Sequence, residues 1–167
     1  MISVPEALQI LNANIPDLLE KEVSLDVAHG RYSAQDILAP EPAPRYTNSA
    51  MDGFAVRYAD CMEATEASPS QLKLVGESQA GIPFTGVVGK GETVRISTGA
   101  VLPEGADTVV RVEDTREEDL RIEVLKVKKQ GQDVRYQGEE FTEGELLIPK
   151  GARLGARELA LLAAVGI

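Results

Sequence analysis

The sequence between residues 51 and 128 is divided into short apolar runs by turn-forming residues. Runs of this length, bounded by glycine, proline or polar clusters, are typical of β-strands rather than of helices. The chain contains 15 Gly and 9 Pro, which fits many turns between short strands. We therefore predict a mainly β fold with a few helices. The predicted strands are Leu72–Val75, Gly81–Phe84, Gly91–Ile96, Thr108–Val112 and Leu120–Val127.

Three other segments predict helices. Ser3 and Glu6 have the spacing of a capping box, and the helix that follows is expected to end near Asn14. Its apolar side chains recur on one stripe, so this helix is expected to pack against a partner. A short helix is predicted over Ser24–Gly30 and a longer one over Gly155–Gly166, each followed or ended by a glycine that suits a helix C-terminus.

Composition excludes several classes of function. The net charge is -10, and aromatic residues make up 4% with no Trp, so neither a nucleic-acid surface nor an anionic membrane is an expected partner. The single Cys61 has no partner for a disulfide, which favours a reducing compartment, and no segment approaches membrane-spanning length; we expect a cytoplasmic protein. His29 is the only histidine, so multi-histidine metal centres are excluded.

The stretch Asn48–Val56 combines small residues, one acid and a glycine at the head of an apolar strand. A carboxylate held in a tight turn, as Asp52 would be, suits a magnesium ion or a polar substrate because both require fixed oxygen atoms. The alternative is that Asp52 and Gly53 form only a hairpin turn. Local chemistry by itself favours the second interpretation.

Two further polar groups are candidates. In Arg95–Val110 a strand leads into Ser-Thr-Gly, where Thr98 either helps to hold an anion or merely bonds the turn backbone. Glu139 and Glu140 are adjacent, and on an extended segment they would face opposite ways, so at most one is expected to join Asp52. The acidic run Glu117–Asp119 is interpreted as an exposed hairpin loop.

Together these segments resemble the N-terminal half of the MoeA family, which includes the E domains of gephyrin and of its plant relative. The resemblance is collinear over nearly the whole chain and rests on long, ordered strings. The segments that carry it are Asn48–Val56, Gly81–Pro83, Arg95–Val110 with Glu113, and Gly138–Ile167.

The resemblance implies a molybdopterin molybdenumtransferase of molybdenum cofactor biosynthesis. Such enzymes take adenylylated molybdopterin and molybdate, use a divalent cation, usually Mg²⁺, and release AMP. The implied catalytic residues are Asp52, Thr98 and Glu140, with Asp52 also a metal ligand. The implied binding residues are Asn48, Ser49, Gly53, Ser97 and Gly99. Glu140 departs from the family, which usually has Asp there, and the longer side chain moves the carboxylate by about one methylene.

The resemblance also implies an architecture of bifurcated or coiled β-sheets with an inserted β-barrel-like lobe. The expected divisions are residues 1–23 as an N-terminal helix that packs on a following α/β domain, residues 24–42 plus 141–167 as a discontinuous first lobe, and residues 43–140 as the inserted β-rich lobe. Because that α/β molybdopterin-binding domain is not in the sequence, we expect a fragment that is inactive by itself.

The implied partners are a second copy of the chain, the C-terminal domains of the same protein, and a molybdopterin adenylyltransferase. Family members work as homodimers whose cleft is shared between subunits. The alternative to an enzyme is a dimerising scaffold of the gephyrin E-domain type, which uses the same fold to hold other proteins.

Overall fold

The computed structural model describes residues 2–16 and 19–167. Over these residues the α-helices are α1 (Val4–Ala13) and α2 (Ala156–Ala164), and the 3-10 helices are Leu25–Val27, Tyr58–Asp60 and Val112–Asp114. The strands are β1 (Ile37–Leu38), β2 (Asn48–Ser49), β3 (Gly53–Val56), β4 (Ser70–Ser78), β5 (Glu92–Ile96), β6 (Thr108–Arg111), β7 (Thr115–Glu118), β8 (Arg121–Val124), β9 (Val134–Arg135) and β10 (Leu146–Ile148). The predicted mainly β fold with a few helices is confirmed.

Contacts divide the chain into two units. The first is Met1–Ile37 with Leu146–Ile167, and the second is Leu38–Glu145. The three-part division expected from the sequence, with a separate segment 1–23, stays a prediction. The β-strands of the predicted site all belong to the second unit.

A six-stranded, curled half-barrel sheet forms the centre of the second unit, in the order β6-β3-β5-β4-β8-β7. Neighbouring strands are antiparallel except for β4 and β5, which are parallel. Because side chains alternate between the faces of a strand, β3 supplies both hydrophobic clusters: Phe54 and Val56 pack on one face, and Ala55 packs on the other. All four residues of β3 are buried, so the sheet is covered on both faces at its centre.

The first helix has the predicted cap. The Ser3 hydroxyl accepts from the Glu6 backbone N–H, and the Glu6 carboxylate accepts from the Ser3 N–H at 2.7 Å. The expected packing of its apolar stripe is not found within the described residues. The stripe residues Val4, Leu8, Leu11 and Ile15 are 54–74% exposed.

The first unit has a small core of its own. Its buried residues Ala28, Ile148, Leu154 and Leu162 come from different elements and loops. Helix α2 contributes Leu162 and confirms the helix predicted at Gly155–Gly166. Its first turn is closed by the Glu158 carboxylate, which accepts from the Gly155 N–H at 3.0 Å. The helix predicted over Ser24–Gly30 is only the 3-10 turn Leu25–Val27.

Two predictions about strands are wrong. Gly81–Phe84 is not a strand, because reciprocal backbone hydrogen bonds of 2.9 and 3.0 Å between Gln79 and Ile82 close a turn there. Glu117 and Glu118 are not in a loop but in β7, and only Asp119, at φ 54°, lies in the turn that follows. As β7 is an edge strand, its charged side chains remain in solvent and protect the edge from further pairing.

Gly53 allows β3 and β6 to approach each other. An ideal Cβ at this position would lie 2.0 Å from the Val110 carbonyl oxygen, which is backbone of the neighbouring strand. We expect Gly53→Ala to lower the free energy of unfolding by about 3 kcal/mol or more, because the strand pair would have to separate. Urea denaturation of the purified chain measures this loss.

Gly81→Ala is the matched control for that substitution. Gly81 has φ +84°, but a Cβ there meets no described atom within 4 Å. Its cost is therefore limited to the left-handed backbone conformation, about 1–2 kcal/mol. Equal losses for the two variants would contradict the close approach at Gly53.

Candidate functional site

Asp52 and Thr98 are in direct contact. Asp52 Oδ1 accepts two hydrogen bonds from Thr98, one from its backbone N–H at 2.7 Å and one from its hydroxyl at 2.9 Å. The backbone N–H, and then the hydroxyl, lower the pKa of the Asp52 carboxyl because both bonds favour the ionised form. Both residues are exposed, so a fixed and ionised carboxylate faces solvent.

The turn between β2 and β3 places Asp52. The Ser49 hydroxyl donates to the Met51 carbonyl at 2.6 Å and closes the turn locally. The Ala50 N–H donates to the Asp133 carbonyl at 2.9 Å, which ties the turn to the segment before β9. Gly53 then enters the sheet beside β6. The backbone on both sides of Asp52 is therefore fixed.

The loop after β5 places Thr98. The Ala100 N–H donates to the Ser97 carbonyl at 3.0 Å, and Gly99 adopts φ +78° within this turn. Ser49 joins the loop to the Asp52 turn through two backbone bonds: its N–H donates to the Ala100 carbonyl at 3.0 Å, and its carbonyl accepts from the Gly99 N–H at 2.8 Å. The two turns that the sequence singled out are thus one hydrogen-bonded structure.

The predicted binding residues differ in how much of each is exposed to solvent. Ser49 is 1% exposed and its hydroxyl is bonded inside the protein, while Gly53 is buried between strands. Asn48 donates its side-chain amide to the Tyr46 carbonyl at 3.1 Å. Gly99 is exposed beside Thr98, and Ser97 is half-buried. Their roles in binding stay predictions.

Glu140 pairs with an arginine rather than with Asp52. Arg135 forms ion pairs with both Glu139, at 3.2 Å, and Glu140. The expectation that these two glutamates face opposite ways is wrong, because the segment is a turn: Gly138 has φ +72° and the Glu139 N–H donates back to the Tyr136 carbonyl. Arg135 lies opposite Asn48 in the β2–β9 pair. The ion pairs of Arg135 therefore lie beside the β2–β9 strand pair, which directly precedes the Asp52 turn.

An ion pair next to the Asp52 turn also supports it, and the sequence does not predict this pair. Arg111 forms a two-point ion pair with Asp133 at 2.8 and 2.9 Å, and this bond lowers the pKa of the Asp133 carboxyl. Asp133 adopts φ 53°, and its carbonyl is the one that accepts from Ala50. No local signal in the sequence joins two residues that are 22 positions apart.

Asp52 is suited to be one ligand of a hard cation. Oδ1 is used by Thr98, and Oδ2 accepts no hydrogen bond from the described residues. Magnesium commonly binds proteins through one or two carboxylates, with water and substrate phosphates completing the shell. Among residues 2–16 and 19–167 no group of three or more His, Cys, Asp or Glu could hold a metal by itself.

The Asp52–Thr98 pair lies on an open surface. Neither residue lines the cavities of about 430 and 1210 Å³ found elsewhere in the chain. Cys61, by contrast, is buried in the core, and burial raises the pKa of its thiol to about 12, which makes it a packing residue rather than a nucleophile. No helix in the described ranges is long and apolar enough to cross a membrane.

Substitution of Thr98 tests the electrostatics of the pair. Thr98→Val removes the hydroxyl but keeps the backbone N–H, which is the larger of the two contributions, so the Asp52 pKa should rise only part of the way to its ordinary value of 3.8. Carboxyl ¹³C NMR during an acid titration measures the shift. The Asp52–Thr98 bonds stabilise the fold above the ordinary pKa, and that stability is lost as the pH falls through the lowered folded pKa.

Thr142→Val is the control for this titration. The Thr142 backbone N–H and hydroxyl donate to the Glu145 carboxylate at 2.9 and 3.2 Å, as those of Thr98 do to Asp52, but in a different turn. Removal of the Thr142 hydroxyl should leave the Asp52 pKa unchanged. An Asp52 pKa in Thr98→Val that equals that of the unsubstituted chain would contradict the assigned hydrogen bonds.

Comparison with known proteins gives consistent matches. The family described as MoeA N-terminal region (domain I and II) matches residues 2–166. Molybdopterin molybdenumtransferases from Nostoc sp. and Haemophilus influenzae are 38% and 36% identical over 98% and 100% of this chain, which spans 38% and 41% of their length. The chain therefore spans about two fifths of the curated relatives it matches.

Solved structures agree with these sequence matches. Two structures of the molybdopterin biosynthesis MoeA protein from Pyrococcus horikoshii align with a TM-score of 0.87, at 38% and 33% identity. They cover 99% and 98% of this chain, which covers 42% and 43% of theirs. The match to the family over residues 2–166 includes both turns of the Asp52–Thr98 pair, and the chain belongs to the MoeA family through its N-terminal region.

Proposed function

We propose that this chain is the N-terminal part of a transferase that inserts molybdate into adenylylated molybdopterin with release of AMP. The observation that carries the proposal is the Asp52–Thr98 contact: an ionised, exposed carboxylate fixed by two donors, within a segment that matches the family. The relatives named above as molybdopterin molybdenumtransferases support the reaction class. A fixed carboxylate of this kind suits the placement of a cation or of a polar substrate group.

We assign roles to five of the predicted site residues: Asp52, Thr98, Glu140, Ser97 and Gly99. Asp52 Oδ2 would serve as a ligand of Mg²⁺ beside the substrate phosphate, and Thr98 orients the carboxylate through Oδ1. Mg²⁺, when bound, would offset the negative charge of the phosphate groups as AMP is released. Glu140 would act at the edge of the site, where Arg135 holds its carboxylate. Ser97 and Gly99 would contact substrate from the exposed loop.

The proposed site is one wall of a larger cleft. The Asp52–Thr98 pair is open to solvent, and catalysis of phosphate cleavage requires cation ligands, phosphate donors and a substrate pocket together. We propose that the other wall comes from the rest of a longer protein and from a second subunit in a homodimer. A molybdopterin adenylyltransferase would supply the substrate, and the single free Cys61 fits a reducing cytoplasmic compartment.

The isolated 167-residue chain should not turn over. We expect no molybdate-dependent release of AMP from adenylylated molybdopterin above the rate in buffer, with Mg²⁺ present, because one exposed carboxylate does not form a complete site. Chromatographic measurement of AMP tests this. Sustained turnover by the chain would show that the described residues are sufficient and that the two-wall proposal is wrong.

The role of Asp52 is tested in a chimera that joins residues 1–167 to the remaining part of the Haemophilus influenzae relative. Asp52→Asn should lower the rate of AMP release by about 100-fold, the usual cost of removing one charge-stabilising group. Glu123→Gln is the control, since the Glu123 carboxylate accepts from the Gln71 side chain across the β4–β8 pair, outside the two turns of the Asp52–Thr98 pair. A chimera that synthesises cofactor equally well with and without the Asp52→Asn substitution would instead favour a scaffold role for this face.

A further inference from the structure

Ser78 is a buried polar residue with contacts on both sides of Thr98. It is the last residue of β4, is 0% exposed, and lies opposite Ile96 in the parallel β4–β5 pair. Its carbonyl accepts from the Ser97 N–H at 3.1 Å, and its hydroxyl donates to the Val101 carbonyl at 2.8 Å. One residue of β4 therefore holds the loop at its first and its last position.

The Ser78 hydroxyl has a second partner. The Phe84 N–H donates to Ser78 Oγ at 3.4 Å, so this oxygen both donates and accepts. Among the described residues, no buried side-chain nitrogen or oxygen lacks a hydrogen-bond partner. Removal of the hydroxyl would take this donor from the half-buried Val101 carbonyl and this acceptor from the Phe84 N–H, which is unfavourable unless the loop moves.

The other contacts of the loop come from the opposite direction. Gly99 and Ala100 bond to the Ser49 backbone, and Thr98 bonds to the Asp52 side chain; Ser49 and Asp52 both belong to the β2–β3 turn. The loop is thus held between that turn and β4. The bond from Thr98 N–H to Asp52 Oδ1, at 2.7 Å, has the length of a charge-assisted hydrogen bond, and its geometry depends on where the loop places Thr98.

We propose that Ser78 is a positioning residue: its hydroxyl fixes the Ser97–Val101 loop so that the N–H and hydroxyl of Thr98 meet Asp52. Ser78 itself touches no substrate. Its relevance to catalysis rests on the proposed function, whereas its effect on the Thr98–Asp52 contact rests on the geometry alone. The two claims are therefore tested by separate readouts.

The test is NMR spectroscopy of the 167-residue chain with Ser78→Ala. The Thr98 amide proton should move upfield and exchange with solvent about 10-fold faster, the change expected when one hydrogen bond of the loop is lost. Asp52→Ala shifts the same amide proton in the unsubstituted chain. In the Ser78→Ala background that shift should fall to half or less, because the contact is already weakened.

Thr93→Val is the matched control. Thr93 is buried in the same sheet, and its hydroxyl donates to the Ala55 carbonyl at 2.9 Å, away from the loop. This variant should lower the global stability but leave the Thr98 amide proton unchanged. Ser78→Cys, which has nearly the same shape and a weak donor, is read in the same way if Ser78→Ala is too unstable.

Three results would overturn the proposal. The first is an unchanged Thr98 amide in a folded Ser78→Ala chain, and the second is an equal change in Thr93→Val. The third is failure of both Ser78 variants to fold while Thr93→Val folds, since Ser78 would then support the whole sheet rather than the loop. If the NMR changes occur but the chimera releases no AMP, the positioning role stands and the proposed function fails.

Discussion

The close approach of β3 to β6 is the constraint on which the second unit depends. Gly53 opens β3, and the absence of a side chain there lets the Val110 carbonyl lie where a Cβ would otherwise be. The strand that follows is wholly buried and supplies residues to both hydrophobic clusters. Since Asp52 directly precedes Gly53, the packing of the sheet also determines where this carboxylate stands.

The carboxylates near the candidate site each have a hydrogen-bond or ion-pair partner, although the chain as a whole is acidic. With a net charge of -10, any cluster of carboxylates would repel a further anion. The carboxylates near the site instead have donors of their own: Thr98 for Asp52, Arg111 for Asp133 and Arg135 for Glu140. The two arginines offset the charges of Asp133 and Glu140, whereas Thr98 is a neutral donor that orients Asp52 and leaves it negatively charged.

The sequence predicted what depends on local pattern. The capping box of α1, the apolar strands and the turn at Asp52 follow from spacing and from residue type. The acidic run predicts a loop at Glu117 and Glu118 because charge patterns report exposure, which an edge strand shares with a loop. The Arg111–Asp133 pair could not be foreseen, because strand register brings these residues together and single-sequence patterns do not encode register. Residue types alone favour a plain hairpin turn at Asp52, and only the family resemblance indicates a functional role.

The parallel pairing of β4 and β5 has a consequence for the order of folding. Parallel neighbours cannot be joined by a tight hairpin, so the chain must travel back along the sheet between Ser78 and Glu92 before the two strands align. Contacts of this kind form more slowly than the local β7–β8 hairpin, since a longer loop must be closed first. The Ser97–Val101 loop is anchored at the end of that late pair. The β7–β8 hairpin is therefore expected to form before the Asp52–Thr98 contact, which depends on the late β4–β5 pair.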